Sequence, residues 1–279
     1  MAETTLVGGG SARNESGAWE ELPLLVFFHG GAYFFGSHKD NLGAVLANDL
    51  KQYDVRFAYA SVDYSLAPEH AFPAGPLDGL LALEFLNSKV LEGHLVEAKV
   101  RLKGPIHVGG HSSGAGLAAS VVAEGVRRGV RIGSFFCGEP MLCPSYEFNS
   151  YERYSTCRTT PVEGIRLAWK FYLPEGSEKV PPEVRGLLPP LASGCLPIPA
   201  GAGRRAMRAA TEEESHPPTL LCTANADPMR DEGLEYMRRL VEAGVEVTHM
   251  ELRGSHAMAV TVDKTARKKV SAEWARMFV

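Results

Sequence analysis

The sequence predicts an α/β fold, a mostly parallel central sheet with helices on both faces. Short apolar runs that stop at glycine or polar loops alternate with stretches whose leucines fall at helical spacing. The strand-like runs are continuously apolar, as they are when both faces of a sheet are covered. The 279 residues, 45% hydrophobic and 22% charged, match an ordinary globular chain able to bury one large core. A single domain over 1–279 is therefore expected.

Residues 1–22 carry Gly, Ser and Glu and are expected to be loose. Leu24-Leu25-Val26-Phe27-Phe28 is too short for a helix and stops at His29-Gly30-Gly31, so it reads as a buried strand. Leu42, Val45, Leu46 and Leu50 put a helix over 38–53. A second strand covers 55–62, and Pro76 opens a helix carrying Leu77, Leu80, Leu81 and Phe85. A strand at 106–109, a helix at 113–128 and a strand at 130–137 follow. A strand at 219–223, a helix at 231–243 stopped by Gly244, a strand at 245–251 and a helix at 264–278 complete the alternation.

One stretch interrupts the pattern. Residues 174–218 are rich in Pro, Gly and Ala, with RRAMR followed by EEE. Long irregular segments in compact domains are usually lids or disorder. We expect a partly ordered insertion within a cap-like region at 144–218. Its charges read as a solvated face or, in the sharper alternative, as a basic binding patch.

Composition excludes several classes. A net charge of −4 argues against a large nucleic-acid-binding surface. No apolar run reaches the ~18–20 residues that span a bilayer. The N-terminus lacks a basic stretch leading into an apolar one, so no signal peptide is expected and the cytoplasm is the default compartment. Cys137, Cys143, Cys157, Cys195 and Cys222 are odd in number and form no CxxC, which argues against structural zinc and a disulfide framework.

Ligands of open α/β sheets bind beyond the carboxyl ends of the strands. After the strand at 106–109 comes Gly110-His111-Ser112-Ser113-Gly114, a G-x-S-x-G sequence. A serine at a sharp strand-to-helix turn needs a strained backbone and small neighbours two residues away on each side. The turn holds Oγ outside the sheet and aims the next N–H, at a helix N-terminus, toward a developing oxyanion. Random placement of this chain's Gly and Ser would give roughly 0.2 such matches, so context must carry the reading. A rival uses the same glycines: Gly114 to Ala119 matches the G-x-G-x-x-A dinucleotide fingerprint, but starts five residues past the strand. A second match, Gly201 to Ala206, lies in Pro-rich loop.

His29-Gly30-Gly31-Ala32 follows another strand. Consecutive glycines let N–H groups point at a negative oxygen; a flexible turn with a structural His29 is the plain alternative. Asp227 follows the strand at 219–223, and Asp231 suits a helix-start carboxylate better. His256 follows the last strand, and its rival His249 lies within it. The candidates are therefore Ser112, Asp227 and His256, in a Ser, Asp, His chain order known for hydrolases. Gly30, Gly31, Ala32 and Ser113 are the candidate oxyanion donors. Tyr33, Phe34 and Phe35, with Trp169, Phe171 and Tyr172, read as core or as pocket lining.

In HGGAYFFG at 29–36, DYSLAPEHAFPA at 63–74, GGHSSGAGLAA at 109–119, DPMRDEG at 227–233 and GSHAM at 254–258, the chain resembles the hormone-sensitive-lipase-like branch of the α/β-hydrolase fold. The resemblance implies a carboxylic-ester hydrolase acting on a small-molecule ester with a short or medium acyl group. It also implies the HGG loop as oxyanion hole and no metal or organic cofactor. There are departures. The family elbow usually reads GDSAG, and His111 replaces its Asp. GHSSGA is similar to arylformamidases of the same fold, which implies an amidase as the alternative. Ser65 stands where the family's DYRLAPE has Arg, and Ala257-Met258 where it has Gly-Phe. Plant gibberellin receptors share the fold and the serine but lack the histidine, so a non-catalytic receptor is the second alternative; this chain has His256 at that place. Only 22 residues precede the first strand, where the family has further strands and cap helices. Shortened N-terminal strands, an open sheet edge and self-association into a homo-oligomer through that edge are therefore expected.

Overall fold

The computed structural model describes residues 3–7, 21–92, 101–192 and 216–278. The strands are β1 (Glu3–Val7), β2 (Glu21–Phe28), β3 (Ala58–Asp63), β4 (Arg101–His111), β5 (Ile132–Gly138), β6 (Thr219–Ala224) and β7 (Val247–Leu252). They form one sheet in the order β1-β3-β2-β4-β5-β6-β7. All neighbours are parallel except β1, which runs antiparallel to β3 and pairs Glu3 with Asp63 through Val7 with Tyr59. The helices are α1 (Asn41–Leu50), α2 (Ala74–Glu92), α3 (Ser113–Arg127), α4 (Asn149–Arg153), α5 (Val162–Tyr172), α6 (Pro182–Arg185), α7 (Arg230–Glu242), α8 (Met258–Thr261) and α9 (Lys264–Ala275).

Two cores sandwich the sheet, and the period-2 alternation of side chains along a strand sorts residues between them. Leu24, Val26 and Phe28 of β2 and Ile106 and Val108 of β4 pack with Leu83 of α2, Leu117 of α3 and Leu240 of α7. Leu25 and Phe27 pack on the other face with Leu46 and Leu50 of α1 and Trp274 of α9. Both faces of β2 are thus dry, which is why its sequence is an unbroken apolar run. At Gly109 an added side-chain carbon would lie 2.7 Å from the Trp274 ring. Glycine there makes room for the largest side chain of the second core.

The topology places the functional loops. The chain lays β3 on one side of β2, then returns to lay β4 on the other. The loops leaving β2 and β4 diverge at this switch point and open a crevice beyond the strand ends. The HGG loop and Ser112 leave from these two adjacent strands.

Several expectations need correction. Residues 3–7 are not loose. They form β1, which covers the edge of β3 that the sequence leaves open. The outermost strand is then only five residues long, a length that limits edge-to-edge pairing. The helix expected over 38–53 is α1 followed by a 3₁₀ turn at 51–53, and the helix expected to open at Pro76 starts at Ala74. Within the Pro/Gly-rich stretch, 177–179 is a 3₁₀ turn, α6 follows, and Leu187, Leu188 and Leu191 are buried. Residues 193–215, which include RRAMR, EEE, Cys195 and the match at 201–206, lie outside the described residues. Cys137, Cys143, Cys157 and Cys222 carry free thiols. No described helix is long and apolar enough to cross a membrane.

Candidate active site

Ser112 occupies the turn from β4 into α3 with φ 57° and ψ −126°, a left-handed conformation unusual for serine. The turn is pinned on all sides. The Ser112 N–H donates to Gly138 O at 2.8 Å, and its carbonyl accepts from Ala115, Gly116 and Met141 at 3.0–3.1 Å. The flanking glycines are dictated by contact. An added carbon at Gly110 would lie 2.4 Å from Gly114 O, and one at Gly114 would lie 2.1 Å from His29 O. One at Gly116 would meet Met141 O at 2.1 Å. The glycines of the dinucleotide-like match thus face packed protein, with no room for a pyrophosphate, and that rival reading fails.

The HGG loop packs directly against the elbow. An added carbon at Gly30 would sit 3.3 Å from Ser112 Cβ. Gly31 has φ 124°, Ala32 52° and Tyr33 65°, and the Phe34 and Phe35 N–H groups both donate to Gly31 O at 3.0 Å. This tight left-handed turn leaves the N–H groups of Gly30, Gly31, Ala32 and Ser113 without a hydrogen-bond partner among the described residues. His29 lies beneath the loop. Burial depresses its pKa, and the ring bonds Gly30 O through Nδ1 at 2.7 Å and stacks on Tyr64 at 4.3 Å. The Tyr64 hydroxyl donates to His29 O at 2.7 Å. His29 therefore supports the loop.

Three strand ends bring Ser112, Asp227 and His256 into one hydrogen-bonded line. His256 Nε2 lies 2.9 Å from Ser112 Oγ, and Nδ1 lies 2.6 Å from Asp227 Oδ2. Asp227 is buried, and its other oxygen accepts the Met229 N–H at 2.9 Å. Burial opposes charge on His256, but the Asp227 carboxylate outweighs it and holds the imidazole pKa above its ordinary value. The rivals are elsewhere. His249 bonds Thr223 Oγ1 at 2.9 Å from within β7, and Asp231 accepts the Ser150 N–H and pairs with Arg230 at the start of α7.

Beside this line is a residue that the sequence reading does not single out. Glu139 is buried at the end of β5, one residue past Gly138, with φ 45°. Its Oε2 accepts from His111 Nε2 at 3.2 Å and from the Ala257 N–H. Burial alone would raise its pKa, but the His111 hydrogen bond and charge, with His256 and the Ala257 N–H, hold it below the usual carboxylate range. Its position after a strand was the available signal. His111, Glu139 and His256 each present an atom that could ligate a metal, all within 4.8 Å of one another. Those atoms are already bonded: Glu139 Oε2 accepts two N–H groups and both His256 nitrogens are engaged. The three side chains thus form a hydrogen-bonded network through Glu139 Oε2, while Glu139 Oε1 is buried without a hydrogen-bond partner among the described residues.

Ser112 and His256 open onto a cavity of about 550 Å³, a size suited to a small organic ligand. Phe34, Phe35, Leu42, Ile165, Met141 and Met229 supply apolar walls. The aromatic candidates divide. Tyr33 turns inward, donates to Met141 O at 2.8 Å and stacks on Tyr172 at 3.9 Å, beside Trp169. Those three are core, whereas Phe34 and Phe35 line the cavity and Phe171 packs edge-on against Phe34.

A doubly covered parallel sheet with a strained serine at its switch point defines an α/β hydrolase. The chain belongs to the alpha/beta hydrolase fold family, whose model matches residues 25–259. It is 28% identical over 232 residues to Gibberellin receptor GID1A of Arabidopsis thaliana, covering 83% of this chain and 61% of that protein. It is 28% identical over 229 residues to Esterase LipI of Mycobacterium tuberculosis, covering 81% of this chain and 62% of that protein. Among solved structures, Bacterial Heroin Esterase superposes with a TM-score of 0.75 at 26% identity, covering 99% of this chain and 78% of that one. The chain spans about three fifths of the length of such curated relatives. The resemblance to the esterase-containing hormone-sensitive-lipase-like branch is borne out.

Proposed function

We propose that this chain is a serine carboxylic-ester hydrolase for short and medium acyl esters, with residues 144–218 as its cap. The unbroken line from Asp227 through His256 to Ser112, ending at the 550 Å³ cavity, carries the reading. Asp227 holds the Nδ1–H tautomer, so Nε2 accepts the proton as Ser112 Oγ attacks the ester carbonyl. The tetrahedral oxyanion takes the free N–H groups of Gly31, Ala32 and Ser113, with Gly30 shaping the loop; one such donor contributes about 3 kcal/mol in comparable sites. His256 returns the proton to the leaving alcohol, and water hydrolyses the acyl-enzyme by the same route. Esterase LipI and Bacterial Heroin Esterase, by their names, support ester substrates.

The test is hydrolysis of p-nitrophenyl acetate, butyrate, octanoate and palmitate by the parent, Ser112→Ala and His256→Ala. The parent is expected to turn over the short and medium esters, and each variant to lose about 10⁴-fold or more in kcat. Undiminished turnover in Ser112→Ala would overturn the assignment. A folded parent with no turnover would favour the receptor reading, and faster anilide than ester cleavage the amidase one.

The pH profile gives a separate check. A base must be neutral to accept a proton, and Asp227 holds His256 protonated to higher pH than a free imidazole. The acid limb of kcat/KM is therefore expected to have its midpoint above about 6.5. A midpoint at or below that value would contradict the charge balance described for His256.

A further inference from the structure

His111 and Glu139 have no part in the steps above, yet both are buried against the reacting groups. Three backbones leave their strands or loops in left-handed, non-glycine conformations at this point: Ser112 at φ 57°, Glu139 at φ 45° and Ala257 at φ 64°. Such conformations persist only where the surroundings enforce them. Here the three sites are tied together. Glu139 takes the Ala257 N–H, next to His256, and the His111 Nε2, next to Ser112. Its Oε2 lies 3.7 Å from His256 Nδ1, the nitrogen that also faces Asp227.

We infer that Glu139, oriented by His111, is a second carboxylate that positions His256 and shares with Asp227 the stabilisation of its imidazolium. It acts on His256 in two ways. The Ala257 hydrogen bond fixes the loop that carries the imidazole, and the carboxylate charge favours the protonated ring formed when Ser112 gives up its proton. The groups facing His256 are Asp227 from β6, Glu139 from β5, His111 from β4 with ring centroids 5.5 Å apart, the Ser112 hydroxyl, and Cys157 between α4 and α5. Apart from Asp227, Glu139 is the only carboxylate in this set. Glu139 is a positioning residue, since it is buried behind the cavity lining and reaches the chemistry only through His256 and Ala257.

The test separates charge from scaffolding. Glu139→Gln keeps an acceptor for the Ala257 N–H and removes the charge, Glu139→Asp keeps the charge, and Glu139→Ala removes both. The titration midpoint of His256, followed by NMR through its Nδ1–H resonance, is the primary readout. It is expected to fall by about one pH unit or more in Glu139→Gln and by less in Glu139→Asp. The acid limb of kcat/KM should move by the same amount, with KM little changed. In Glu139→Ala, kcat on the pH plateau should drop about 10-fold or more as His256 loses its register. A His256 midpoint equal to the parent's in a Glu139→Gln protein of parental Tm would overturn the inference, leaving Glu139 as a strut only. If the Glu139 variants fail to fold, His111→Leu carries the test. It removes the hydrogen bond and charge that chiefly hold Glu139 ionised. Burial should then shift the Glu139 carboxyl toward its neutral form and lower the His256 midpoint in the same direction, and an unmoved midpoint overturns the inference. The kinetic half rests on the esterase reading, but the titration does not need turnover. A parent without esterase activity would therefore sink that reading while the His256 midpoint still decides this one.

Discussion

Replacing Asp227 by Asn is expected to lower kcat about 10⁴-fold while leaving the fold intact. The two side chains are nearly isosteric, and one existing bond decides which way the amide faces. Asp227 Oδ1 accepts the Met229 N–H at 2.9 Å, so the Asn oxygen must stay there and its NH₂ must face His256. An NH₂ donor opposite Nδ1 requires that nitrogen to be an acceptor. The proton then sits on Nε2, which would donate to Ser112 Oγ when it should accept from it. The imidazolium also loses its nearer carboxylate, so the His256 midpoint should fall. Measurement of kcat with p-nitrophenyl butyrate, beside Tm, checks this. Activity within about 10-fold of the parent would mean that Glu139 alone can hold the catalytic tautomer.

Much of the candidate site was legible because one rule of open α/β sheets does most of the selection. Only residues just past strand ends can meet, and Ser112, Asp227, His256 and the HGG loop are all of that kind. The side-chain distances then follow from the strand order, which puts β2, β4, β5, β6 and β7 side by side. Glu139 sits in an equivalent position, but Cys-Gly-Glu-Pro matches no motif, and only its contacts with His111 and Ala257 distinguish it. The aromatic run after the glycines could not be sorted by spacing. The turn at Gly31 sends Tyr33 into the core and its next two neighbours into the cavity, a division set by backbone conformation.

The fold shows the same boundary. Helices and central strands were readable because their burial is written locally, in continuous or 3.6-period apolar patterns. β1 was not. Its five residues gain strand structure only by pairing with β3, more than fifty residues later, and edge strands carry little local signal. The cap-like region was equally opaque. Leu187, Leu188 and Leu191 are buried within a Pro/Gly-rich stretch whose composition reads as loop.

Gly114→Ala is expected to be as damaging to the structure as Asp227→Asn is to the chemistry, and the sign is not obvious beforehand. Gly114 lies in the first turn of α3, where helix propensity favours Ala by about 1 kcal/mol. Against this, the added carbon would lie 2.1 Å from His29 O and 2.3 Å from Phe28 O. Both are backbone atoms of β2 and the oxyanion loop, and no rotamer change relieves them. Overpacking of a well-filled interior typically costs about 1–3 kcal/mol, and rigid backbone on both sides puts this case at the upper end. Contact therefore wins over propensity, and Tm should drop by about 6–12 °C. The comparison is Gly129→Ala, where φ is 80° but nothing lies within 4 Å. That change carries only the left-handed penalty of about 1–2 kcal/mol and should leave kcat unchanged. Relief of the Gly114 contact, by contrast, must move His29 O, and Gly30 and Gly31 follow it. The same variant is then expected to lose kcat as well as Tm, because the strain is delivered to the donors that face the oxyanion. A Gly114→Ala protein with parental Tm and kcat would show that the elbow and the HGG loop are less tightly packed than these distances require.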